Sequence, residues 1–142
     1  MKKLFLFVSA IAITLSLNSC SKDSNGGGGS MSLKINGTKK SFKTIAFSFE
    51  GITDVYGYIG SLENPTEEVS FVLTSGTGDK ITDFTYDTVD DSYDALTFTS
   101  NVTVNSTSSA KGTFEGTLKP FLGTGENLTI TEGTFSANVI AE

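Results

Sequence analysis

Leu96-Thr97-Phe98-Thr99-Ser100-Asn101-Val102-Thr103-Val104 decides the fold class. Leu96, Phe98, Val102 and Val104 recur with period two, and Thr97, Thr99, Asn101 and Thr103 take the alternate positions. Successive side chains of a strand point to opposite faces, so this segment reads as a long strand with one apolar and one polar side. The β-branched residues reinforce that choice.

Working outward, the same punctuation recurs along the chain. Leu33-Lys34-Ile35 runs into Asn36-Gly37, a strong hairpin signal, and then into Phe42 to Phe49, where Ile45, Phe47 and Phe49 share a face. Val55 to Ile59 sits between Gly51 and Gly60. Glu68 to Thr74 places Val69, Phe71 and Leu73 inward and Val72 outward. Lys80 to Tyr86 follows the turn Gly76-Thr77-Gly78-Asp79, and Phe114, Gly116 and Leu118 precede Pro120, which closes a strand or marks an edge. Leu128 and Ile130 lead to Phe135, Ala137 and Val139, and the change of parity at Glu132-Gly133 predicts a bulge or tight turn.

No window after residue 31 carries helical periodicity, so the expectation is an all-β domain of eight or nine antiparallel strands. Two sheets packed face to face, a β-sandwich, is the favoured arrangement; a single meander curled into a small barrel is the alternative. Phenylalanine, eleven in the whole chain, is expected to dominate the core.

The N-terminus is of another kind. Lys2 and Lys3 precede an apolar run from Leu4 to Leu17, broken by Ser9, Thr14 and Ser16, and Leu17-Asn18-Ser19-Cys20 ends it with the only cysteine. A spanning helix needs about 20 apolar residues, more than this run holds. The pattern resembles a bacterial lipoprotein signal, in which the chain is cut before the cysteine and that cysteine is acylated. An ordinary secretory signal would leave Cys20 as a free thiol, a liability in an oxidising compartment. Two or more acyl chains would make attachment persistent, where one is marginal. Residues 1–19 thus read as a signal peptide, 20–30 as a flexible Gly/Ser tether and 31–142 as the β-domain. The spacer from Ser21 to Ser30 predicts a root-mean-square span of about 18 Å.

Composition narrows the chemistry. Removing residues 1–19 takes Lys2 and Lys3 away and moves the formal net charge from −6 to −8. The ten cationic side chains are all lysine, and this acidity disfavours nucleic acid and anionic head groups. There is no histidine and no tryptophan. Triads of the Ser-His-Asp kind and zinc hydrolase sites are excluded, leaving carboxylate-only catalysis, such as a glycosidase pair, as the enzymatic alternative.

Lys111-Gly112-Thr113-Phe114-Glu115-Gly116-Thr117-Leu118, followed by Leu128-Thr129-Ile130-Thr131-Glu132-Gly133-Thr134-Phe135-Ser136-Ala137, is similar to small Bacteroidota lipoproteins that pair a GTF strand with a closing ITxGTF strand. Lys34-Ile35-Asn36-Gly37 and Cys20-Ser21-Lys22-Asp23 resemble the same group. The resemblance covers most of the mature chain. It implies a β-domain held in the cell envelope, with Ser21 fitting outer-membrane delivery, and it implies no activity or cofactor.

Four groups of residues are candidates for chemistry. Asp83, Asp87, Asp90, Asp91 and Asp94, with Asp79 before them, supply hard oxygen ligands of the kind calcium takes, though without EF-hand spacing; an acidic solvated loop is the plainer reading. Asp87-Thr88-Val89 resembles the sequon at which Bacteroidota attach O-glycans, which points to Thr88. Tyr56 and Tyr58, two apart on one strand, share a face that, if outward, would stack on a glycan or a partner; ordinary sheet-surface tyrosines explain the pair equally well. Lys34, Lys39, Lys40 and Lys43 flank the first hairpin, where charge protects a sheet edge. Together these readings predict a membrane-anchored, non-catalytic module that binds a glycan, a peptide or an envelope protein, with an envelope assembly subunit as the alternative.

Overall fold

A computed structural model describes residues 28–142. Eight strands follow in order: β1 (Gly29–Ile35), β2 (Thr38–Phe49), β3 (Ile52–Gly60), β4 (Pro65–Leu73), β5 (Ile81–Thr88), β6 (Ser92–Asn105), β7 (Ser109–Pro120) and β8 (Leu128–Ala141). Each strand pairs antiparallel with the next, and β1 pairs antiparallel with β8, so the sheet closes on itself as a barrel. This overturns the expected sandwich. A meander whose first and last strands hydrogen-bond has no two separate sheets to stack, and eight strands enclose a space that side chains alone can fill.

Both short hairpins use two-residue turns with left-handed backbone at each position. Asn36 and Gly37 have φ of 48° and 83°, and Glu50 and Gly51 have 51° and 84°. These are the turns whose twist matches that of the flanking strands. One end of the barrel carries the start of β1, the end of β8 and the β2–β3, β4–β5 and β6–β7 turns; we call it the entry end. The β1–β2, β3–β4, β5–β6 and β7–β8 connections lie at the far end. Because β1 is short, β2 and β8 meet directly beyond it, in a parallel pairing from Ala46 with Val139 to Ser48 with Ala141.

The core is a packed interior. Met31, Leu33, Val55, Val69, Leu73 and Leu118 are buried around a cluster of aromatic rings. Phe84 lies 4.5 Å from Phe98 and 5.3 Å from Phe114 between ring centroids, and Phe71 lies 5.1 Å from Phe135. Val69, Phe71 and Leu73 point inward as their alternation predicts. The parity change in β8 is a bulge, in which Thr131 and Glu132 stand opposite Glu115 and Glu132 takes a φ of 52°.

Two expectations about facing change. Ile45, Phe47 and Phe49 do share a face, but it is the outer one; Phe42, Thr44 and Ala46 point inward. The inward position of Thr44 is fixed by the crowded corner where β1 starts. Its hydroxyl donates to the Ser136 carbonyl at 2.8 Å. In β6, bulges at Leu96 and Thr103 break the continuous period-two face, leaving Leu96 exposed while Phe98 and Val102 stay inside.

Candidate functional site

The bulge of β7 and β8 bends the wall of the barrel, and a groove of about 520 Å³ lies over it. Thr99 and Asn101 of β6, Thr113 and Glu115 of β7, Glu132 and Thr134 of β8, and Ser32 and Lys34 of β1 line it, with Lys39 of β2 at its margin. These are mainly the polar members of alternating strands whose apolar members form the core. From β6 to β2 the groove crosses four inter-strand gaps, about 19 Å at ordinary spacing.

Two contacts hold its wall in place. Lys34 Nζ donates to Glu132 Oε1 at 2.6 Å, and the hydroxyls of Ser32 and Thr134 lie 3.1 Å apart. The surface therefore offers hydroxyls that donate and accept, an amide, carboxylates and ammonium groups on paired strands. That inventory suits a neutral, hydroxyl-rich ligand. Glu115 and Glu132 share the groove, but both are exposed and Glu132 is engaged by Lys34, unlike a poised acid–base pair. Sequence reading missed this site. Its residues are ordinary outward β-residues, and only the register of β8 against β7 and β1 brings them together.

Tyr56 and Tyr58 share the outer face of β3, as their spacing predicts. That wall lies four strands around the ring from β7, on the opposite side of the barrel from the groove. Tyr56 stands opposite Ile45 on β2 and Ser70 on β4, and Tyr58 opposite Lys43 and Glu68. Phe47 meets the Tyr56 ring edge-on at 6.4 Å. Burial, followed by the carboxylates of Asp54 and Glu68, pushes the Tyr56 hydroxyl above its ordinary value. Burial and then Asp87, its direct cross-strand neighbour, likewise raise Glu68.

The aspartates between residues 79 and 94 are dispersed. Asp79 lies at the entry end, where its carboxylate accepts from the Ser100 backbone N–H at 3.0 Å and its hydroxyl at 2.6 Å. Asp83 sits mid-strand on β5 with a φ of 52°. Asp87 accepts from the Ser92 hydroxyl, while Asp94 faces Thr85 and Lys119 across the ladders. Asp90 and Asp91 belong to the β5–β6 turn. Among the described residues, no three histidine, cysteine, aspartate or glutamate side chains converge as a metal cluster.

Thr88 is committed to its turn. Its hydroxyl accepts from Asp91 N at 2.9 Å and from Asp90 N at 3.3 Å, and donates to the Asp91 carbonyl at 3.1 Å. A sugar on that oxygen would remove the donated bond. Beside this turn, Val89, Phe121 and Leu122 line a smaller cleft of about 320 Å³ at the far end.

The lysine reading also changes, because β1 and β2 are paired on both sides and present no edge to protect. Lys34 belongs to the groove. Lys40 turns into the far mouth of the barrel, where its ammonium reaches both oxygens of Glu67 at 2.6 and 2.7 Å. Tyr86, buried beneath, donates to the same carboxylate at 2.6 Å.

Cys20 and the signal and tether assigned around it lie outside the described residues, apart from the last residues of the tether. Of those last residues, Gly29 and Ser30 already belong to β1. Among the described residues no helix is long and apolar enough to cross a membrane. No protein-family model matches the chain, and no curated protein matches its sequence.

Proposed function

We propose that this chain is a cell-envelope lipoprotein, anchored through Cys20 in the outer membrane, whose barrel is a non-catalytic module binding an oligosaccharide in the groove that runs from β6 across β7, β8 and β1 to β2. The groove itself carries this reading: a concave wall about 19 Å across, lined by hydroxyls, an amide and exposed charges on paired strands. An oligosaccharide presents the complementary set of donors and acceptors. The wall of Tyr56 and Tyr58 lies outside this groove, with Ile45 and the Phe47 ring beside Tyr56 and the charged Lys43 and Glu68 beside Tyr58. The polar outward positions of β6 and β7, among them Thr97, Thr99, Asn101, Lys111 and Glu115, suit a wall in water and contrast with the apolar band of a membrane barrel.

Calorimetric titration of the full-length protein against a panel of defined neutral and acidic oligosaccharides tests this. Binding to at least one sugar is expected, with Asn101→Ala and Glu115→Ala each weakening it about tenfold, which corresponds to about 1.4 kcal/mol. Tyr56→Ala should leave that affinity unchanged. No heat across the panel would remove the glycan reading. Palmitate labelling lost in Cys20→Ser tests the anchor separately.

A further inference from the structure

The entry end carries an apolar rim. Phe49 pairs with Ile52 across β2 and β3, and Phe47 pairs with Ile140 across the parallel seam of β2 and β8. All four project outward, and Phe49, Ile52 and Ile140 are 59%, 51% and 37% exposed. Adjacent apolar side chains on three strands form a surface of the kind that marks contact with a partner or a membrane.

The chain itself indicates what covers this rim. The described residues begin at the same end, where Gly28 lies beside Asn138 and Gly29 pairs with Thr44. Cys20 precedes Gly29 by nine residues, so covalent geometry limits their separation to about 32 Å. Acyl chains on Cys20 would therefore turn this end, rather than the far end, toward the bilayer.

We propose that the rim of Phe49, Ile52 and Ile140 seats on the surface of the bilayer that holds the anchor, an inference that rests on acylation of Cys20. The seat suits zwitterionic head groups. Glu50 lies in the turn between Phe49 and Ile52, Asp54 stands opposite Phe47, and Glu142 bonds through its N–H to Ser48 at 3.1 Å, so carboxylates border the apolar residues. Tyr56, four residues up the strand from Ile52, is placed at head-group level, where an apolar ring with a polar tip is favoured.

The chain has no tryptophan, so one introduced at the rim reports its own environment. Full-length Ile52→Trp, with acylation of Cys20 verified by mass spectrometry, is reconstituted into phosphatidylcholine vesicles containing brominated lipid. Leu62→Trp, at the far end and similarly exposed at 50%, is the control. Bromine should quench Ile52→Trp at least twofold more than Leu62→Trp, and adding Phe49→Ser and Ile140→Ser should abolish the difference. Equal quenching at both positions in acylated protein overturns the seat while leaving the anchor intact. A dimer that protects Ile52→Trp without quenching assigns the rim to a second copy and also overturns it. Absence of acyl chains on Cys20 removes the anchor and the seat together.

Discussion

Phe114 lies directly across the β7–β8 ladder from Gly133, and Phe135 lies across from Gly112. The tripeptides Gly112-Thr113-Phe114 and Gly133-Thr134-Phe135 are thus antiparallel partners of one another, with Thr113 meeting Thr134 at the centre. Each ring crosses a residue that has no side chain. A Cβ on Gly133 would run into the ring edge and carbonyl of Phe114, and one on Gly112 would come within 2.8 Å of Phe135 Cε1 and the Asn101 carbonyl. Phe98 opposite Gly116 repeats the device one strand away. The GTF repeat is therefore a packing solution: glycines let a narrow barrel hold several aromatic rings and coil tightly enough to close.

Gly133→Ala is accordingly expected to destabilise the barrel by about 2–3 kcal/mol, because the added methyl meets backbone as well as a ring. Gly37→Ala, at a turn with φ of 83° and open space around it, should cost about 1 kcal/mol through backbone conformation alone. Urea unfolding at constant slope separates the two. Equal costs would show that the ring contact contributes nothing.

The strand segments, the inward set of β4 and the parity change in β8 were all legible in alternation. Closure was not, because it depends on β1 finding β8, a pairing between segments about a hundred residues apart that no local pattern encodes. The facing of β2 was misread for a related reason. Ile45, Phe47 and Phe49 look like core, but Thr44 and Ala46 are what the crowded corner beside Gly29 and Ser136 can hold. The groove was illegible since its polar residues come from five strands, none of which departs from ordinary outward β-composition.

Glu67 sets a pH window. Burial alone would raise its carboxyl, but hydrogen bonds from Lys40 and Tyr86 and the Lys40 charge outweigh burial and hold it below its ordinary value of 4.5. A carboxyl depressed in this way stabilises the fold above its unfolded value and loses that contribution as pH falls through the lower folded one. Tyr86 behaves in the opposite sense. Burial and the bond to Glu67 raise its hydroxyl above 10.0, so its contribution is complete below pH 10 and is lost at higher pH. Stability measured against pH should be flat between these limits with respect to this cluster. Glu67→Gln should lower it by about 2 kcal/mol at pH 7 and flatten the acid limb. An unchanged acid limb would show that the cluster does not govern it.

Glu68 carries a cost that can be removed. It stands opposite Asp87 on the outer wall, and both burial and that like charge raise its carboxyl above the ordinary value. Its ionisation therefore works against the folded state, and the penalty disappears as pH falls below about 4. Glu68→Gln should gain up to about 0.5 kcal/mol at pH 7, with no gain at pH 3. Thermal melts at the two pH values measure this, and a gain of equal size at both would point to packing instead of charge.

The barrel should open first between β5 and β6. Their ladder pairs only Thr85 with Asp94, Tyr86 with Tyr93 and Asp87 with Ser92, whereas β6 and β7 pair along nearly their full length. Toward the entry end side chains replace the ladder. Ser100 accepts from the N–H groups of Lys80 and Ile81 at 3.2 Å, Asp79 holds Ser100, Asn105 donates to the Thr74 and Gly76 carbonyls, and Gly78 bridges to Val102. Few backbone bonds and solvent-facing polar stitches mark a region of low local stability. Amides from Thr82 to Phe84 and from Leu96 to Thr99 should exchange with deuterium faster than those of Thr113 and Thr134. Asp79→Ala should quicken the first group about tenfold, equivalent to about 1.4 kcal/mol of local opening, and leave the second unchanged. Uniform exchange across all strands, or an equal response of β7 and β8 to Asp79→Ala, would show that the barrel opens as one unit.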